Sequence, residues 1–321
     1  MRRRACGLTL ALTLTLAATG CSGDGPESTG GDDPGAFSVA SALTHLPVPE
    51  EESLFLAVAD VAAVREANGL EVPDFSDTDE VGDYAISMTG ALDDTPAMLS
   101  LPPGSELVTP SDQRDTLGFS WMEAEQLAWV EYPPNEFTWT SYDEPVQAAD
   151  GLTDAGDGVL TPADDAGDPD DPLLVFTDGS EAVTSRSSAD LDSWRSDDAP
   201  TLADEEDLAA VAAALDGEGV ISAYVIRTVG EDDRSVTGVG WALDDGEPRF
   251  VIAYGAADED AADAAVDGLR ADYEEPDVAE QLAVDDVTVE GSVVVVTATP
   301  VEHGARLLLQ MLLNFGLPFD I

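Results

Sequence analysis

The stretch VISAYVIRTVGEDDRSVTGVGWALDDGEPRFVIAY, Val220–Tyr254, decides the fold class. It contains three runs rich in β-branched and aromatic residues: Val220–Val229, Ser235–Leu243 and Arg249–Tyr254. Asp232-Asp233 and Asp244-Asp245-Gly246 lie between them. Asp and Gly favour turns, Asp by bonding its own backbone and Gly by tolerating positive φ. Three strands joined by such short connections read as an antiparallel meander.

Working outward from the meander, Asp258, Glu259 and Asp260 complement the positive end of a helix. Ala262, Val266, Leu269 and Tyr273 follow at i, i+4, i+7 and i+11 and form one apolar face. Thr288–Thr299 predicts two strands turned at Glu290-Gly291, with Val293–Val296 buried on both sides. A last helix is expected over Val301–Asn314, apolar nearly all round and so suited to a core, with docking to a membrane partner as its second reading.

Upstream, Leu54–Val58 reads as a strand, and Asp60 caps a helix carrying Val61, Val64 and Ala67 that stops at Asn68-Gly69. Pro73, Gly82, Pro96, Pro102, Pro103 and Pro110 break residues 70–115, where a strand at Tyr84–Thr89 is the one element expected. A helix is expected at Val146–Leu152, a hairpin from Leu173–Phe176 through Asp178-Gly179 to Ala182–Thr184, and a short helix at Ala189–Arg195. Thr201 and Asp204 resemble a capping box ahead of Leu208, Val211, Ala212 and Leu215, which share a helical face. The expected class is α+β: mainly antiparallel sheets with packed amphipathic helices, divided into regions 51–216 and 217–321.

The N-terminus carries an address. Arg2, Arg3 and Arg4 precede an apolar run, Ala5–Ala18, of about 14 residues, against the roughly 20 that span a bilayer. Ala18-Thr19-Gly20-Cys21 follows, and then a polar Gly- and Asp-rich run. This resembles the bacterial lipobox, in which small residues precede a cysteine that receives a diacylglyceryl thioether. The resemblance implies a signal peptide over residues 1–20, lipidation of Cys21, and an extracytoplasmic body held at the cell membrane. Two acyl chains anchor stably where one does not. Residues 21–50, with their Gly, Pro and Asp, are expected to form an acidic tether. The whole pattern resembles actinobacterial envelope lipoproteins, a likeness that implies a location and no activity.

Charge excludes some partners. The formal net charge is −55, from 67 acidic residues against 12 basic ones, and every basic residue is an arginine. Such a surface repels nucleic acid and anionic headgroups alike. Of the two cysteines, Cys6 lies in the signal and Cys21 would carry lipid, so no thiol is left for catalysis, metal binding or a disulfide. The histidines, His45 and His303, are far apart in sequence. No nucleophile elbow, phosphate loop or zinc-helix motif occurs. Asp77-x-Asp79 starts like a calcium loop but places Val81 and Met88 where oxygen ligands belong. The acid-rich stretch from Asp154 to Asp171 is expected to be a solvated excursion rather than a calcium site, and Asp178-Gly179-Ser180 lacks its third oxygen at Ala182.

Seven aromatic residues lie within Phe119–Tyr142, with Pro133-Pro134-Asn135 as a turn among them. Trp129, Tyr132 and Trp139 are the tentative ligand surface, since sugars stack on exposed rings flanked by carboxylates. The competing expectation is that these rings fill the core. The functional expectation is a non-enzymatic envelope lipoprotein that binds or scaffolds a protein or glycan, with no catalytic, cofactor or metal residues assigned. Glycan binding through 119–142 is the first alternative, and a hydrolase working with carboxylates alone is the second.

Overall fold

The computed structural model describes residues 37–51, 53–89, 99–100, 110–163, 172–196, 198–229, 234–244 and 246–301. In chain order the elements are α1 (Val39–Leu43), β1 (Leu54–Asp60), α2 (Val61–Ala67), α3 (Thr78–Met88), α4 (Pro110–Leu117), β2 (Gln126–Tyr132), β3 (Asn135–Ser141), β4 (Leu152–Gly156), β5 (Val159–Pro162), β6 (Leu174–Asp178) and β7 (Glu181–Ser185). After these come α5 (Ser188–Trp194), α6 (Glu206–Gly217), β8 (Val220–Val229), β9 (Arg234–Asp244), β10 (Glu247–Gly255), α7 (Glu259–Tyr273), α8 (Pro276–Ala279), β11 (Leu282–Glu290) and β12 (Val293–Pro300). The expected final helix and His303 lie outside the described residues.

The twelve strands found among the described residues join one antiparallel sheet in the order β11-β12-β10-β9-β8-β1-β2-β3-β7-β6-β5-β4. The fold is α+β. The meander, the hairpin turned at Gly291 and the hairpin turned at Gly179 form where their turn residues predict them. The sheet runs continuously across residue 217, because β1 pairs with β8 from Leu54↔Arg227 to Ala59↔Ser222.

Helices cover both faces. Along each strand, alternate side chains enter different cores. Phe250, Ile252 and Tyr254 of β10 join Val294 and Val296 of β12 on one face, with α2, α3 and α7 packed there. Val251, Ala253, Val293 and Val295 point to the other face, under α1, α5 and α6. This double burial is why the strands read as near-continuous apolar runs although the sheet is antiparallel.

α6 comes unusually close to the sheet because β9 and β10 offer glycines beneath it. A Cβ at Gly238 would lie 2.8 Å from Val211 Cγ1 and 2.9 Å from Leu215 Cδ1, both on α6. Gly255, one strand over, would meet Val211 Cγ2 at 3.4 Å.

The end of the expected tether belongs to the body. Val39, Leu43 and Leu46 are fully buried against α6 and the sheet, each contributing on the order of 1.5–3 kcal/mol. Asp216 of α6 accepts from Val39 N at 2.6 Å and Ala40 N at 3.0 Å, so a carboxylate 177 and 176 residues away satisfies two orphan donors at the start of α1. Leu202 N donates to Leu46 O at 2.9 Å, and Pro47 bridges Thr201. The boundary expected at residue 50 therefore moves back to about residue 37. The cause is the apolar spacing of Val39, Ala42, Leu43 and Leu46, which outweighs the loop-like composition before it.

Three local expectations are corrected. Tyr84–Thr89 is no strand; α3 runs from Thr78 to Met88 straight through Gly82. Val146–Leu152 is irregular chain leading into β4. Asp154–Asp157 is no excursion: it closes the β4–β5 hairpin, with Asp157 at φ 54 and Asp154 accepting from Gly156 N at 2.8 Å. The remainder of that acidic stretch, residues 164–171, lies outside the described residues. The Thr201–Asp204 pair is made, Asp204 accepting from Thr201 N at 2.8 Å, yet it closes a separate 3-10 turn and α6 starts at Glu206.

Candidate functional site

The aromatic segment is built by the β2–β3 hairpin, turned through Pro133-Pro134, whose peptide bond is cis. Period-2 alternation decides where its rings go. Trp129 points to the face covered by α2, α3 and α7, whereas Tyr132 and Trp139 point to the opposite face. Trp129 is 0 % exposed, Tyr132 1 % and Trp139 2 %. The tentative ligand surface is therefore core, split between the two sides of the sheet. No ring of the three is open to a sugar.

Each ring is held differently. Trp129 meets Phe55 edge to face at 5.8 Å, and its Nε1 has no hydrogen-bond partner among the described residues. The Tyr132 hydroxyl donates to the Asp190 carboxylate, and burial followed by that carboxylate pushes the phenol far above its ordinary range. Trp139 Nε1 donates to Glu181 Oε1 at 3.2 Å, and the indole stacks on His45 at 3.7 Å and 9°. His45 thus closes the strap after α1 over the sheet, and burial holds its imidazole below the ordinary value.

Three carboxyls have a raised affinity for protons, and Asp60 and Glu131 among them stand too far apart to work on one bond. Burial raises Asp60, Asp216 and Glu131. Asp60 caps α2 by accepting from Ala63 N at 2.8 Å, and Asp216 caps α1 as described above. Asp60 and Glu131 stand five residue pairs apart along the β1–β2 ladder, Asp60 opposite Gln126 and Glu131 opposite Phe55. A pair working on one bond needs both carboxyls within about 5–10 Å.

A concavity of about 380 Å³ lies between the chain after α2 and the outer side of α3. Gly69 turns the chain at φ +63, and Leu70, Glu71, Val72, Pro73 and Asp74 form one wall. Asp74 accepts from Ser76 N at 2.9 Å, a bond that holds its carboxyl below the ordinary range. Asp77 then starts α3 by accepting from Asp79 N at 3.1 Å and Glu80 N at 3.2 Å. Glu80, Asp83, Tyr84 and Ser87 complete the lining. Among the described residues no ion pair uses Glu71, Asp74, Glu80 or Asp83; the nearby Arg65 is paired with Glu125 at 2.9 Å and Arg114 with Glu123.

Each of the two side-chain hydroxyls lining this groove already donates to a backbone carbonyl. The Tyr84 hydroxyl donates to Met122 O at 2.8 Å, and burial raises its pKa, so it is a poor acid. Ser87 donates to Asp83 O at 2.9 Å within its own helix.

The start of α3, which forms one side of this groove, is written in the sequence. Asp77 with Glu80 three residues later marks a helix start, and Val81, Tyr84, Ala85 and Met88 follow at helical spacing. Cys21 and the lipobox lie outside the described residues, and no group of three metal-ligating side chains occurs among those described. No described helix is long and apolar enough to cross a membrane. No protein family, curated protein or solved structure matches the chain.

Proposed function

We propose that this protein is a lipid-anchored, extracytoplasmic component of the cell envelope that binds or scaffolds a partner and catalyses no reaction. The observation that carries the reading is the pairing of Ala18-Thr19-Gly20-Cys21 with a folded body rooted at residue 37. Only residues 22–36 separate the acylated cysteine from that root. Fifteen residues can extend at most to about 50 Å. The body is thus kept close above the bilayer, where the acidic excess behind the chain's net charge of −55 sets it off from anionic headgroups. The matching partner surface is neutral or cationic, so nucleic acid is disfavoured. The burial of Trp129, Tyr132 and Trp139 supports a protein partner over a glycan stacked on that segment.

The test replaces Cys21 with Ser in the full chain. The variant is expected to lose incorporation of labelled fatty acid and to leave the detergent phase. Unchanged detergent partitioning would defeat the anchor. A turnover signal abolished by a single carboxylate change in otherwise stable protein would defeat the non-enzymatic reading.

A further inference from the structure

We draw no further inference here: the strongest candidate, the acid-lined groove between the Leu70–Asp74 chain and α3, is a cluster of carboxylates with no buried unpartnered side chain aimed into it and no other sign of a ligand.

Discussion

Gly238→Ala tests the close seating of α6 on the sheet. The new methyl would stand 2.8 Å from Val211 Cγ1 and 2.9 Å from Leu215 Cδ1. Carbon atoms prefer roughly 3.5–4.0 Å, so α6 must move outward by several tenths of an ångström. Both neighbours are fully buried, and Val211 is β-branched with little freedom to turn away. Overpacking of this kind costs about 1–3 kcal/mol. Ala also restricts the unfolded chain, which returns about 0.4–1 kcal/mol. The expected net loss is about 1–2 kcal/mol, read as a lower urea midpoint by far-ultraviolet circular dichroism with an unchanged slope. Gly82→Ala and Gly268→Ala are the controls, in α3 and α7, with nothing within 4 Å of the added methyl; each should gain about 0.5–1 kcal/mol. Val211→Ala combined with Gly238→Ala should show a coupling of at least about 0.5 kcal/mol, because the first change removes the nearer of the two atoms the second one meets. If Gly238→Ala proves as stabilising as the controls, α6 does not rest on the sheet as described.

The other predictions concern the core, the strap and the charge. Trp129→Ala should cost about 3–5 kcal/mol, whereas Trp129→Phe should cost under about 1.5 kcal/mol, since Nε1 has no bond to lose; equal losses by urea denaturation would contradict that. Asp216→Ala strands Val39 N and Ala40 N and should cost about 1–3 kcal/mol, with limited proteolysis newly cutting within residues 37–48 while the meander stays intact. The imidazole of His45 is held below its ordinary value, so its contribution is present above pH 6.5 and fades as pH falls through the lowered folded value; His45→Gln should flatten the melting temperature between pH 7 and 5. Asp60, Asp216 and Glu131 act in the opposite sense: their raised values weaken the fold above them, and the loss is recovered as pH falls toward the ordinary carboxyl range. Because like charges are screened within about 10 Å at 0.1 M salt, sodium chloride should raise the melting temperature, and a flat response would contradict self-repulsion.

The C-terminal half of the fold was legible because its signals were local. The meander, α7 and the β11–β12 hairpin each follow from turn residues and a clean period within one short window. What was hidden depended on a distant partner for α1 and on one local residue for α3. α1 lies in a stretch of loop-like composition, and its start is held by Asp216 from the far side of the sequence. α3 is hidden in the sequence by Gly82, which has the look of a breaker although a solvent-facing glycine costs a helix only about 1 kcal/mol. The aromatic segment was ambiguous until β2 and β3 gained covered faces on both sides. The odd spacing from Trp129 to Tyr132 already forbids one shared face on a strand, and that part of the answer was available in the sequence.

The pairing of β1 with β8 also sets a timetable. These strands form the middle of the sheet, yet Leu54 and Arg227, which face each other, are separated by the whole of β2–β7 and α6. A chain that emerges N-terminus first completes β1 through β7 with one side of β1 still open. Its centre can close only after β8 appears. Contacts of such long sequence separation slow folding, since loop closure must precede any reward. During that wait β1 presents an apolar edge able to recruit another chain. A fragment ending near residue 217 would keep that edge permanently and should aggregate rather than fold alone.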